Sequence, residues 1–132
     1  GGYYVHIQPG QCMFGGGIWC PNKDLLNALR KEVLANYDEV ESIFANPLTN
    51  KYFQDFDSEY MLKKVPQGFP ADFEHADWLK RKCYTFSTPL TDEQVCAPDF
   101  VDLATEIAYA AKPINDFLNY TFEEYGEFPE RR

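Results

Sequence analysis

The residues of this chain with the clearest chemical potential are a histidine, a tryptophan and a group of cations. His6 lies between Val5 and Ile7, so in an alternating strand it points with Tyr4 and Gln8 to the opposite face. A Tyr-His-Gln face is either the wall of a polar pocket or an ordinary solvated face. Lys63, Lys64, Lys80, Arg81 and Lys82 are five of the twelve basic residues in an acidic chain. They flank two candidate strands and converge into a positive patch if those strands are neighbours. The functional reading is a site for an anion; the plainer one is a lysine guard on a sheet edge.

Other constellations are weaker. A Cys-His nucleophile needs a thiolate beside an imidazole, and no local signature supports one. Asp55-x-Asp57-x-Glu59 begins like a calcium loop, but Tyr60 replaces the required glycine and Pro66 the closing glutamate. Asp99, Asp102 and Glu106 share a helix face without a histidine, as the solvated side of an amphipathic helix does. Gly15-Gly16-Gly17 is followed by Ile18-Trp19 rather than by a helix carrying Lys or Ser/Thr. It therefore predicts a bulge or bend where a ring or another backbone packs closely, not a phosphate loop. Zinc on His6 or His75 with cysteines lacks the usual short ligand spacings, and neither a metal nor a cofactor is expected.

The elements that must position these residues follow from pattern. Tyr3–Ile7 and Phe14–Trp19 are aromatic, β-branched runs around Pro9-Gly10, a hairpin. Asn22 caps a helix with Leu25, Leu26, Leu29, Val33, Val40 and Phe44 at helical spacing, running to about residue 45 with a bend near Asn36. Asn46-Pro47 ends it and starts a short helix. Tyr60–Val65 is expected as a short strand, Pro66–Pro70 as a rigid turn, residues 74–81 as one or two helical turns, and Cys83–Ser87 as a strand. Thr91 and Gln94 have the capping-box form. From Pro98 a long helix carries an apolar stripe from Phe100 to Phe122, with a kink expected at Pro113. Few strands separated by helices predict an α+β fold: a small, mainly antiparallel sheet packed against helices, with a long C-terminal helix. Residues 1–122 form one domain in this reading, and 123–132 an acidic tail.

With 132 residues, 45 % of them hydrophobic and 17 % aromatic, the chain can build one core and is not disordered. Its net charge of −9 disfavours nucleic acid as a partner. No apolar run approaches a membrane span, so a soluble protein without membrane partners is expected. Cys12, Cys20, Cys83 and Cys96 show no C-x-x-C pair and are expected as free thiols in a reducing cytoplasm. The chain starts Gly-Gly and its first strand follows at once, which predicts a piece of a longer fold.

Several segments together resemble a conserved bacterial and fungal family, the domain of unknown function 2461. They are Gly2–Ile7 with Pro9-Gly10, Gly15–Trp19 with Pro21, the helix with Leu25, Leu26 and Arg30, and Gly68-Phe69-Pro70. Leu79–Lys82, Pro89–Glu93, Pro98–Phe100 and Lys112–Leu118 add to them. The resemblance implies that this is the C-terminal portion of a larger family domain. It differs from the common family pattern at Gln67, where a basic residue is usual, and at Cys20. It supplies no activity, so the function is read from the residues. The best reading is a binding domain, or an enzyme of unidentified reaction, for a small anionic ligand, with His6, Gln8, Trp19, Lys63, Lys64, Arg81 and Lys82 as its site. The alternative is a non-enzymatic interaction module that uses an open sheet edge and exposed aromatics, including self-association through the N-terminal strand.

Overall fold

The computed structural model describes residues 2–19 and 21–125. Strands β1 (Gly2–His6), β2 (Cys12–Ile18) and β3 (Tyr84–Leu90) form an antiparallel sheet in the order β1-β2-β3. Opposite Cα partners run from Gly2 with Gly17 to His6 with Met13, and from Cys12 with Leu90 to Ile18 with Tyr84. The hairpin turn places Gly10 at φ 77, where glycine is the natural occupant. The Gly10 N–H donates to the Asp92 carboxylate at 2.9 and 3.1 Å, tying the turn to a helix far along the chain.

One sheet face carries Phe14, Ile18, Tyr84, Phe86 and Leu90 into the core. Helix α1 (Lys23–Ala35) starts where the Asn22 side chain accepts from Leu25 N–H at 2.8 Å. The expected bend at Asn36 is a full break (φ −122, ψ 37), after which α2 (Tyr37–Ala45) begins. Asn46 caps α3 (Pro47–Tyr52) with proline in its first turn. Helix α4 (Ala76–Leu79) buries Trp78 and Leu79, and the Thr91–Gln94 capping box opens α5 (Asp92–Cys96). Helix α6 (Phe100–Tyr125) continues through Pro113. It buries Ile107, Ala110, Ala111, Ile114 and Leu118 against the sheet and against α1 and α3, with Phe100 and Leu103 only partly covered. The fold is thus α+β. The side chain of Phe122 and most of the acidic C-terminal segment lie outside the described residues.

One expected element is reduced. Tyr60–Val65 is not a strand but a single bridge, Met61 with Arg81, framed by Leu62 N–H to Lys80 O (2.7 Å) and Lys82 N–H to Tyr60 O (2.8 Å). It pairs with the residues before β3 rather than with β3 itself. The exposed Lys63-Lys64 pair and then Pro66, which has no N–H, prevent further pairing. β3 in turn is longer than expected, running past Ser87 to Leu90, with Pro89 tolerated opposite Met13.

Tyr84 is fully buried, and its hydroxyl donates to Trp78 O at 2.5 Å. Burial pushes that hydroxyl far above the ordinary tyrosine range, and the nearby Arg30 and Arg81 offset this only in part. Its folded-state pKa is therefore raised above the unfolded value of about 10. The neutral phenol contributes stability that is complete below that pH and is lost as pH rises above it. Tyr84→Phe should cost roughly 1–3 kcal/mol near neutrality, because a buried carbonyl loses its donor. It should also flatten the alkaline fall in stability above pH ~10, measured by urea unfolding across that range; an unchanged alkaline limb would assign the effect elsewhere.

Candidate functional site

The face of the sheet turned away from the core presents Gly2, Tyr4 and His6 from β1, Met13, Gly15 and Gly17 from β2, and Thr85, Ser87 and Pro89 from β3. This follows from the register and from strand alternation. The glycine run shapes it. A Cβ on Gly15 would meet the Tyr4 ring at 2.8 Å, and one on Gly16 would meet the Phe86 ring on the core side at 2.7 Å. Rings thus pack on the bare backbone from both sides. At Gly17, φ is 107 and a Cβ would stand 2.2 Å from Tyr84 O, so only glycine fits there.

Beyond β2, Trp19 stands 58 % exposed with its ring edge-on to Tyr60, centroids 5.2 Å apart. Between Trp19 and Tyr4 lies a mostly apolar cleft of about 420 Å³, floored by Gly2, Gly16 and Gly17 and edged by Tyr3 and Thr85. The loop after α3 completes the surroundings. Asp57 donates its N–H to Thr85 O (2.8 Å) and accepts from the hydroxyls of Thr85 (3.0 Å) and Ser87 (2.8 Å). Partial burial first, then the charges of Asp57 and Glu59, raise the Tyr4 pKa, so Tyr4 stands at the cleft as a neutral phenol.

The residues expected to form one site are separated. His6 and Gln8 sit at the turn end of the hairpin, Nε2 and Oε1 3.0 Å apart and both exposed. Trp19 leaves the sheet near Gly2, four residues or roughly 13 Å away along the strand. Lys82 is exposed and joined through its backbone to Tyr60, the partner of Trp19. Lys63 and Lys64 are exposed on the same segment as Tyr60, and none of these three lysines has an ion-pair partner among the described residues.

Arg81 is not part of a surface patch: it is 3 % exposed. Its guanidinium donates to Phe56 O (3.0 Å) and Asp77 O (2.8 Å) and pairs with Asp55 at 3.5 Å. The bridge at Met61 fixes the local backbone so that the middle residue of Lys80-Arg81-Lys82 turns inward while Lys82 turns out. Lys80 pairs with Asp77 at 3.2 Å.

The acidic groups are similarly dispersed. Asp55 accepts from Trp78 Nε1–H (2.8 Å), while Asp57 serves β3, so the Asp-x-Asp-x-Glu run does not converge on an ion. Glu106 accepts from the Tyr52 hydroxyl and pairs with Lys51 at 3.2 Å, and the Tyr52 bond chiefly holds its carboxyl below the ordinary range. Cys12 and Cys96 form no disulfide among the described residues; Cys20 lies outside them. The Cys12 thiol donates to Gln8 O (3.3 Å) and lies 3.5 Å from Asp92 Oδ1. The described residues that do converge with metal-ligating atoms are Glu41, Glu74 and His75.

A larger groove of about 700 Å³ runs between α1, α2 and α6, but Glu32, Glu39 and Asp116 line it. It suits an anion poorly. No helix among the described residues is long and apolar enough to cross a membrane.

These features define an α+β domain with an aromatic, glycine-floored cleft on its outer sheet face. The model of a family described as conserved hypothetical protein, DUF2461, matches residues 1–117, and the chain belongs to that family. No curated protein and no solved structure matches it.

Tyr4 was visible in sequence as a partner of His6 on one face. Tyr60, Asp57 and Thr85 were not, because their convergence depends on a long-range loop contact that has no local signature. Gly17→Ala tests the cleft floor directly. Positive φ costs roughly 1–2 kcal/mol for a side chain, and backbone contact at 2.2 Å adds to it. A loss of at least about 2 kcal/mol in chemical denaturation is expected, with a smaller change refuting a rigid bend at this position.

Proposed function

We propose that this chain is a binding domain for a small anionic ligand with a flat apolar part, held between Tyr4 and Trp19 with its charge toward Lys82. The observation that carries the reading is the exposed Trp19–Tyr60 pair above a glycine floor. Glycine lets a ring approach the backbone closely, and two rings held edge-on offer apolar contact at little entropic cost. Lys63, Lys64 and Lys82, which have no ion-pair partner among the described residues, lie on the two segments joined at Tyr60 and would draw an anion to the Trp19 side, while Asp57 and Glu59 bring negative charge to Tyr4. The net charge of −9 speaks against nucleic acid.

A fluorescent aromatic sulfonate, 8-anilinonaphthalene-1-sulfonate, is a suitable probe, with neutral N-phenyl-1-naphthylamine as its control. The sulfonate should bind the folded protein more tightly than the neutral analogue. Trp19→Ala should abolish binding, and Lys82→Glu should weaken it several-fold, in line with roughly 1 kcal/mol for an exposed ion pair. Equal affinity for both probes would remove the anionic part of the reading, and binding unaffected by Trp19→Ala would remove the site.

A second reading rests on β1. From Gly2 to Gln8 this edge has no charged residue and no proline, and Tyr3, Val5 and Ile7 are all more than 40 % exposed. Such an edge lacks the usual guards against strand pairing. A second copy of this chain, pairing β1 with β1 antiparallel, fits it because neither strand brings charge to the contact. Sedimentation should then show concentration-dependent dimers that Val5→Lys converts to monomers; a wild-type monomer at every concentration would eliminate the pairing.

A further inference from the structure

We infer that Glu41, Glu74 and His75 form a binding site for a borderline divalent cation of the zinc type, independent of the cleft on the sheet. One ligating atom from each residue lies within 4.8 Å of the others. His75 Nε2 stands 3.0 Å from Glu41 Oε2 and 3.7 Å from Glu74 Oε1. Neighbouring ligands bound to one metal at about 2.0–2.2 Å are themselves about 3.0–3.5 Å apart. The two histidine–carboxylate separations are therefore already close to those of a coordination sphere. Only the two exposed glutamate side chains need to draw together.

The imidazole is oriented in advance. Its ring stacks on Trp78, centroids 4.1 Å apart and planes 13° from parallel, with Phe73 at 5.9 Å and Tyr37 at 6.4 Å around it. Trp78 is itself buried and held through its indole N–H by Asp55. Nε2 is shielded from solvent and, although 3.0 Å from a carboxylate oxygen, has no well-aligned hydrogen bond. An ion between these atoms would use the ring lone pair that this alignment leaves unused. The ligands come from two elements, α2 and the segment leading into α4, so the ion would also cross-link them.

The donor set selects the metal class. One imidazole nitrogen with two carboxylates suits Zn²⁺, Co²⁺ or Mn²⁺, and the nitrogen disfavours Mg²⁺ and Ca²⁺, which prefer all-oxygen sites. Three protein ligands leave at least one position for water. An adjoining cavity of about 240 Å³, bordered by Asp55 and Asp77, gives that water room.

Co²⁺ titration of the Trp19→Phe variant tests this, because Trp78 then becomes the sole tryptophan and its emission reports a paramagnetic ion beside His75. Saturable quenching is expected, with zinc displacing cobalt and magnesium failing to do so. The visible spectrum should show d–d bands without thiolate charge transfer. His75→Ala should reduce the affinity tenfold or more. Since that change also removes a ring from Trp78, Glu74→Gln provides a second variant: its side chain is 69 % exposed, and it should weaken binding without altering thermal stability. Absence of quenching, a thiolate band, or affinity unchanged in both variants would overturn the site.

Discussion

A buried guanidinium holds this fold together. Between Phe53 and Tyr84 the chain has one single-turn helix and one isolated bridge, too little backbone pairing to fix thirty residues. Arg81 does so with its side chain, gathering the carbonyls of Phe56 and Asp77, the Met61 sulfur at 3.3 Å and the Asp55 carboxylate. Arg30, also buried, reaches from α1 to the carbonyl of Arg81 at 3.0 Å and attaches the loop to the helical layer. A charge so placed is costly to bury unless its donors are met. The planar fork of arginine meets several carbonyls at once, which a lysine ammonium could not. Both proposed sites inherit their geometry from this clamp: it seats the strand-like stretch that carries Tyr60 to Trp19, and it fixes the turn from which Trp78 stacks on His75.

The glycines of β2 impose the second constraint. Three in succession weaken a central strand, since each forfeits packing and gains freedom in the unfolded chain. Here the lost side chains are replaced by rings from elsewhere, Tyr4 over Gly15 and Phe86 against Gly16. Behind Phe86 a series of edge-to-face contacts extends the arrangement, Phe53 with Phe86 at 5.0 Å, Phe56 with Tyr84 at 5.2 Å and Phe44 with Phe56 at 5.1 Å. The high aromatic content of the chain is thus spent on filling the core beneath a backbone kept bare. The same bareness gives the outer face its cleft.

How much of this was legible in sequence divides along contact range. Asn22, Asn46-Pro47 and the Thr91–Gln94 pair act within one helical turn, and their patterns revealed them. The stripe on α6 was equally clear, since a period of 3.6 residues is a property of the helix alone. The positive patch was misread at Arg81 because charge in a list of residues carries no direction. At the bridge with Met61, the backbone turns one member of the Lys80-Arg81-Lys82 triplet inward, and it is the residue best able to satisfy several acceptors. The separation of His6 from Trp19, by contrast, was already implicit in the hairpin: one residue sits beside the turn and the other beyond the open end. The convergence of Glu41 with Glu74 and His75 had no local sign, because it joins α2 to a segment more than thirty residues further along the chain.

The unpaired lysines gain meaning from that same folding. In a chain with 21 acids and 12 bases, Lys51, Lys80 and Lys112 each find a carboxylate. Lys23, Lys31, Lys63, Lys64 and Lys82 have no such partner among the described residues, and the last three lie on the two segments joined by the Tyr60–Lys82 backbone contact. Their field is opposed by the net negative charge and screened over about 8 Å at physiological ionic strength. It therefore cannot steer an anion from a distance across an acidic surface. On the proposed reading it would act at contact, on a ligand whose apolar part rests against Trp19, so the rings would supply affinity and the lysines would decide which of the flat ligands that fit is retained.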